Sequence, residues 1–353
     1  MKRVLFVYGG AKNRGGIYTY LLELFLGLKN ERGLSLELSS VSNWPLIDKV
    51  EGLGYPTWTV KKTIGGIISG LKKTNDYDLI VTMGMVSNIF GRIWGSYNRV
   101  PVYTVVHSDW HTDYKGFRLF LFWVTDRMLR TATKKYICVS EYLKNITIAD
   151  GISSDRIRVI HNGVRWSPPE KKKQKSSSQF IIGSVGRLHP VKNYQSLIET
   201  FSRLANKNIK LQIVGEGTER KKLEESINNL RLEDYVELMG QRKDIPRILS
   251  GWDLYVQPSL SEGFGLATVE AMLSGLPVVV TPGGSLPEII RDGETGIIAK
   301  GFKPSDLVAP IEELLKDSEL REKISVSGQK YAQKEFSVET WISKMKNILE
   351  EGN

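Results

Sequence analysis

Short apolar runs alternate along the whole chain with longer stretches whose apolar residues recur every three or four positions. In the first half VLFVY, DLIVTM, VPVYTVVH, KYICVS and IRVIHNGV predict strands, and in the second half FIIGSVG, LQIVGEG, YVELMG, DLYVQPS, PVVVTP and GIIA do the same. Between them Ile17, Leu21, Leu24, Phe25 and Leu28 keep helical spacing, as do Leu197, Ile198, Phe201 and Leu204. Strands without polar alternation are buried on both faces, so the fold class is α/β with parallel, doubly wound sheets. The alternation comes in two blocks, and two such sheets are expected. They are separated by WSPPEKKKQKSSSQ, residues 166–179, whose proline pair, lysine run and serines cannot pack a core. This places a first domain at 1–168, a linker at 169–179 and a second domain from residue 180.

A length of 353 residues is consistent with that division, being more than one ordinary core needs. Met1, Lys2 and Arg3 precede only five apolar residues, too few for a secretory signal core, and the apolar stretch Phe117–Val124 is broken by Arg118. The single cysteine, Cys138, sits in an apolar run and reads as a buried structural thiol. A cytoplasmic protein is expected. Of the net charge of +10, residues 1–170 carry 23 basic against 14 acidic groups and the remainder 26 against 25. The basic surface therefore belongs to the first half, where it suits an anionic acceptor or the inner face of the cell membrane. No helix-turn-helix, zinc-ligand spacing or RNA-binding signature accompanies it, which argues against nucleic acid.

The stretch SEGFGLATVEAML, residues 261–273, follows the predicted strand DLYVQPS and opens a helix at Leu266 that ends by Gly275. Backbone amides of Gly263, Phe264, Gly265 and Leu266 would project from that helix N-terminus at a strand's carboxyl end, a natural seat for a diphosphate. Glu262 lies in the loop, beside whatever the phosphate carries, and Glu270 in the helix could accept both hydroxyls of a diol. A glutamate near a helix start also serves dipole and capping, so the pair alone does not decide. Arg187 and Lys192 follow the strand FIIGSVG and supply two cations for a diphosphate without a metal. Gly15 and Gly16 follow the first strand and open the first helix, where their amides could touch the same phosphates or simply allow a tight turn. The spacing is not that of a dinucleotide-binding glycine fingerprint, which disfavours a nicotinamide cofactor.

These residues resemble glycosyltransferase family 4, the retaining nucleotide-sugar enzymes of GT-B fold. SEGFGLATVEAMLSGLPVVVTPGGSLPEII carries the family's Glu-(seven residues)-Glu signature, and IGSVGRLHPVKN, LQIVGEGTERKKLE and VELMGQRKDIPRILSGWDLYVQPS precede it in the family's order. RGGIYTYLLEL, VYTVVHSD, CVSEYLKN and VIHNGV occupy family-like positions in the first half, so the resemblance spans essentially the whole chain. One departure is Arg165, where an acid often follows Asn-Gly-Val.

The resemblance implies two Rossmann-like domains facing a cleft, with an acceptor bound by the first and a nucleotide-diphosphate sugar by residues 180–335. The segment 336–353 would cross back onto the first domain. Transfer would retain anomeric configuration, the leaving phosphate oxygen helping to deprotonate the acceptor while Arg187, Lys192 and the helix amides hold its charge. Glu262 would orient sugar hydroxyls, Glu270 the ribose, and His107, at the end of VYTVVH, would lie beside the donor sugar. No metal and no cofactor beyond the donor is implied, and the acceptor would be a saccharide or a lipid-linked one. A dinucleotide enzyme and a catalytically silent scaffold share the sheets and remain rival readings.

Asp109 and His111 stand next to His107 and suit either an acceptor or ordinary loop polarity. Asp76 and Asp78 imitate a metal-diphosphate motif but precede a strand, which fits a structural role. In KKTIGGIISGLKK, Ile64, Ile67, Ile68 and Leu71 keep helical spacing between lysine pairs, consistent with either an interfacial helix or core packing. Tyr114, Phe117, Phe120, Phe122 and Trp123, with Arg118, Arg127 and Arg130, are expected to form an amphipathic core helix, with an acceptor or membrane face as the alternative.

Overall fold

A computed structural model describes residues 1–9, 16–29, 31–42, 44–113, 116–167, 179–204 and 208–351. The expected linker 169–179 lies outside the described residues except for Gln179, and so do Gly15 and Tyr114. The chain divides into two compact units, residues 1–163 with 338–353, and residues 164–337.

The first unit holds β1 (Lys2–Tyr8), β2 (Leu34–Val41), β3 (Thr57–Val60), β4 (Leu79–Met83), β5 (Val102–Val106), β6 (Thr133–Cys138) and β7 (Ile157–Val159). All pair in parallel, in the order β3-β2-β1-β4-β5-β6-β7. β2 and β3 are not among the strands expected from apolar runs. In β2 leucines alternate with Ser35 and Glu37, and the polar Ser39 and Ser40 are nonetheless fully buried; β3 is a short edge strand.

Helices Ile64–Lys73, Met85–Asn98 and Gly116–Leu129 lie side by side. Trp94 of the middle helix donates to Ile67 O at 2.9 Å and Asn98 to Leu71 O at 2.9 Å on one flank. On the other flank the buried Arg92 donates to Asp126 at 2.5 Å. Gly70 permits the close approach, because a Cβ there would lie 2.1 Å from the Trp94 ring. Ile67 and Leu71 pack on the core around Trp94, whereas Ile64 and Ile68 are exposed. The expectation of a core helix at Gly116–Leu129 is not met: none of its described side chains is buried, and Phe117, Phe120, Leu121, Trp123 and Met128 face solvent. Asp126 on its inward side pairs with Arg92, Leu119, Phe122 and Leu129 are half-buried, and its exposed apolar stripe points away from the core.

The C-terminal helix Val338–Glu350 completes this unit, burying Trp341, Ile342, Met345, Ile348 and Leu349. It packs on helix Gly16–Gly27, where the Tyr20 hydroxyl donates to Met345 Sδ at 3.3 Å and the Tyr20 ring meets Trp341 edge-on at 4.7 Å.

The second unit holds β8 (Phe180–Val185), β9 (Ile209–Val214), β10 (Val236–Gly240), β11 (Leu254–Gln257), β12 (Val278–Val280) and β13 (Ile297–Ile298), again all parallel, in the order β10-β9-β8-β11-β12-β13. Ile182, Leu211, Leu254 and Val256 pack with Leu197, Ile198 and Phe201 and with Leu307, Ile311 and Leu314 in one core. Burial of each such side chain contributes about 1.5–3 kcal/mol. Val164 belongs to this unit, donating from its amide to Phe336 O at 2.9 Å and bridging Ser337, so the boundary falls before residue 168.

Strand order reverses between β1 and β4 in one sheet and between β8 and β11 in the other. Ligands of doubly wound sheets bind at the carboxyl ends of the strands flanking that reversal.

Candidate active site

In the second unit the reversal point is flanked by the loops after β8 and β11. The first carries Arg187 and a tight turn, Pro190–Lys192, closed by Asn193 in the left-handed region at φ 55°. Leu260 N donates to Val191 O at 2.8 Å and ties the two loops together. That tie brings Lys192 to Glu262, and their side chains form an ion pair with exposures of 17% and 11%. Ser259 Oγ also donates to Glu262 Oε1 at 2.7 Å, and Gln257 Nε2 reaches the same oxygen at 3.3 Å. Gln257 is fixed in turn by donating to Ser259 Oγ at 2.7 Å and accepting from the Tyr255 hydroxyl at 2.5 Å. Among the described residues every bond to this carboxylate falls on Oε1, leaving Oε2 available to a ligand.

The loop after β12 braces the backbone of the same glutamate. Ser285 donates to Glu262 O from its amide at 3.0 Å and its hydroxyl at 3.1 Å. Gly284 sits at φ 63°, and a Cβ there would lie 2.3 Å from Glu262 O.

Helix Leu266–Leu273 begins immediately beyond, with Gly265 at φ 94° as its N-cap. Its amides are unsatisfied inside the helix and carry the positive end of its dipole. The Phe264 ring is buried edge-on against Phe336 at 5.6 Å, so this residue offers the site its backbone and not its ring. Glu270 is partly buried one turn on, and burial pushes its carboxyl up to about 7. Burial also raises the phenol of Tyr255 well above its usual value, with further contributions from Tyr194 and from the carboxylates of Glu262 and Glu270. Arg187 is exposed and makes no ion pair among the described residues.

The structure thus brings Lys192, Glu262, the Gly263–Leu266 amides and Glu270 together around one strand reversal. Gly16 and His107 belong to the other unit. Gly16 opens helix Gly16–Gly27 and is exposed. His107 directly follows β5, with its ring edge-on to Tyr20 at 4.5 Å; burial lowers its pKa to about 3, so the imidazole is neutral, and Nε2 is buried without a hydrogen-bond partner. His111 is bracketed by Asp109 at 2.9 Å and Asp150 at 3.2 Å. Asp78 accepts from the Arg3 amide at 2.7 Å and Asp76 pairs with the Arg3 side chain at 3.8 Å, a structural use of both acids. No cluster of metal-ligating side chains occurs among the described residues.

Residues 168–331 match the family model for glycosyl transferases group 1, and residues 39–165 that for glycosyltransferase family 4. The UDP-Gal:alpha-D-GlcNAc-diphosphoundecaprenol alpha-1,3-galactosyltransferase of Escherichia coli is 30% identical over 295 residues, covering 75% of this chain and 76% of that protein. The chain belongs to this glycosyltransferase family. An uncharacterized glycosyltransferase of Methanocaldococcus jannaschii is 32% identical over 226 residues, and the match spans 63% of this chain and 60% of that relative's length. The structure of HepE from Anabaena in complex with UDP and glucose superposes with a TM-score of 0.87 at 22% identity, covering 99% of each chain, and shows the shared GT-B fold.

Gln257, Ser259, Gly284 and Ser285, which hold Glu262 in place, are residues that sequence reasoning did not single out. Gln257 and Ser259 end an apolar strand, where polar residues look like an ordinary strand exit, and only the paired glycines Gly283-Gly284 after β12 hinted at a close backbone approach.

Proposed function

We propose that this protein is a retaining, metal-independent glycosyltransferase that moves a sugar from a nucleotide diphosphate to a saccharide or lipid-linked acceptor in glycan biosynthesis. The observation that carries the reading is the Lys192–Glu262 ion pair beside a glycine-started helix at the strand reversal of the second unit. The UDP and glucose held by HepE and the UDP-galactose named for the Escherichia coli relative favour a UDP-hexose as donor. The same relative's name supports a diphosphate-linked lipid as acceptor.

In this reading Arg187 forks onto the diphosphate and Lys192 neutralises the charge that grows on its leaving oxygen, together with the amides of Gly263–Leu266. Two cations and a helix terminus supply the countercharge that a divalent metal gives elsewhere. Glu262, held by its Oε1, offers Oε2 to the sugar hydroxyls, and Glu270 accepts the ribose diol. The neutral His107 of the first unit can accept or donate one hydrogen bond to a ligand without adding charge.

Incubation of the protein with a panel of nucleotide sugars in EDTA, with product anomers read by NMR, tests this. The expected result is transfer or slow hydrolysis of one UDP-sugar with retention. Inverted product, or activity that EDTA removes, refutes the assignment.

A further inference from the structure

Helix Gly116–Leu129 turns a stripe of its apolar residues away from the core, while Leu119, Phe122 and Leu129 on its other side are half-buried. At about 100° per residue, Phe117, Phe120, Leu121, Val124 and Met128 fall on one stripe, and Asp126 falls opposite it. Asp126 is the residue that pairs inward with the buried Arg92. The stripe therefore points away from the sheet, with Phe117 at 77% and Met128 at 73% exposure. Phe120 stacks on Trp123 at 6.4 Å and Arg127 lies over the Trp123 ring at 5.7 Å, so the aromatic surface continues to a cation. Monomeric proteins rarely expose so contiguous an apolar surface unless it is used.

Charge decides what covers it. In the three side-by-side helices Ile64–Lys73, Met85–Asn98 and Gly116–Leu129, Asp126 is the single acid, and it is turned inward. Exposed Lys61, Lys62, Lys72 and Lys73 flank the exposed Ile64 and Ile68, and Arg127 flanks the aromatic stripe. A second copy seated on the same surface would set these cations against their own kind. An anionic bilayer complements them, while phenylalanine, tryptophan and methionine fit the boundary between headgroups and acyl chains. At 14 residues the helix is too short to cross.

We propose that helix Gly116–Leu129 lies in the headgroup layer of an anionic membrane, its Phe117–Met128 stripe inserted and the lysines around Ile64 and Ile68 paired with lipid phosphates. The first unit alone carries this inference, which holds whatever sugar the second unit takes.

The test is flotation of the whole protein with phosphatidylcholine vesicles made with and without phosphatidylglycerol. The wild type should float only with the anionic vesicles and be released by salt, and Phe117→Ser/Phe120→Ser/Met128→Ser should lower partitioning by about tenfold or more. Since these side chains are exposed, the melting temperature should not move. Leu121→Cys labelled with an environment-sensitive dye, readable because the native Cys138 is buried, should shift to the blue on anionic vesicles. Equal flotation of wild type and triple variant, an unshifted dye, or a concentration-dependent dimer that the triple variant abolishes would each overturn the proposal, the last by assigning the stripe to a second copy.

Discussion

Lys192 and Glu262, 70 positions apart, meet as an ion pair in the second unit, and the same oxygen of Glu262 also accepts from Ser259 and Gln257. Two residues argued to act on the diphosphate and on the sugar of one donor are thus mechanically joined. Lys192→Ala should leave a mostly buried carboxylate without its cation, lowering stability by about 3 kcal/mol and turnover by about a hundredfold or more. Arg187 is exposed and unpaired among the described residues, so Arg187→Ala should lower turnover comparably without moving the melting temperature. Thermal melts and initial rates on the two variants separate them; equal melting shifts would contradict the assignment.

Ser259→Ala and Gln257→Leu should free the Glu262 carboxylate to rotate. If these residues aim Oε2 at the sugar, kcat falls about tenfold or more while the affinity for free nucleoside diphosphate stays put. Ser259→Thr, which keeps the hydroxyl, should recover most of the rate. Loss of nucleotide affinity in step with kcat would point to general disorder of the loop.

Glu270 supplies a pH dependence. Burial raises its carboxyl to about 7, and only the ionised form accepts both hydroxyls of a diol. Nucleotide affinity should therefore rise as pH passes upward through about 7, with a proton released on binding near neutrality, and Glu270→Gln should flatten the response. The effect on folding has its own sign. A folded pKa above the unfolded value means that the contribution is fully present below the unfolded pKa, near 4.3, and is lost as pH rises through the folded one, at a cost of about 4 kcal/mol by linkage. Calorimetric titration in buffers of different ionisation enthalpy measures the first, and melting curves of wild type and variant the second.

Gly284→Ala should abolish turnover. The backbone is at φ 63° and the new methyl would lie 2.3 Å from Glu262 O, so the loop bearing Glu262 must move. Destabilisation of about 1–3 kcal/mol should accompany the loss. An active, normally melting variant would show that the exact placement of Glu262 is unimportant.

Much of this was legible in the residue pattern, and the gaps have physical reasons. Strands buried on both faces, such as β1 and β12, announce themselves as apolar runs, and the acids and cations placed just after strands could be found by their position alone. β2 escaped because alternating leucine and serine normally marks one wet face, whereas Ser39 and Ser40 are buried with no exposure. Gln257 and Ser259 escaped because their role exists only once three separate loops close on Glu262. Helix Gly116–Leu129 was read inside out, since helical periodicity reports that a stripe exists but not which side meets the sheet. The single acid opposite the stripe, Asp126, held that information.

The interrupted first unit also has a consequence for synthesis. Its helix Val338–Glu350 leaves the ribosome only after all of residues 164–337, so the second unit can mature while the first still lacks the surface on which Tyr20 comes to rest. The half of the protein translated first is the half finished last, and until that final helix arrives the nascent chain carries an open apolar flank for a chaperone to guard.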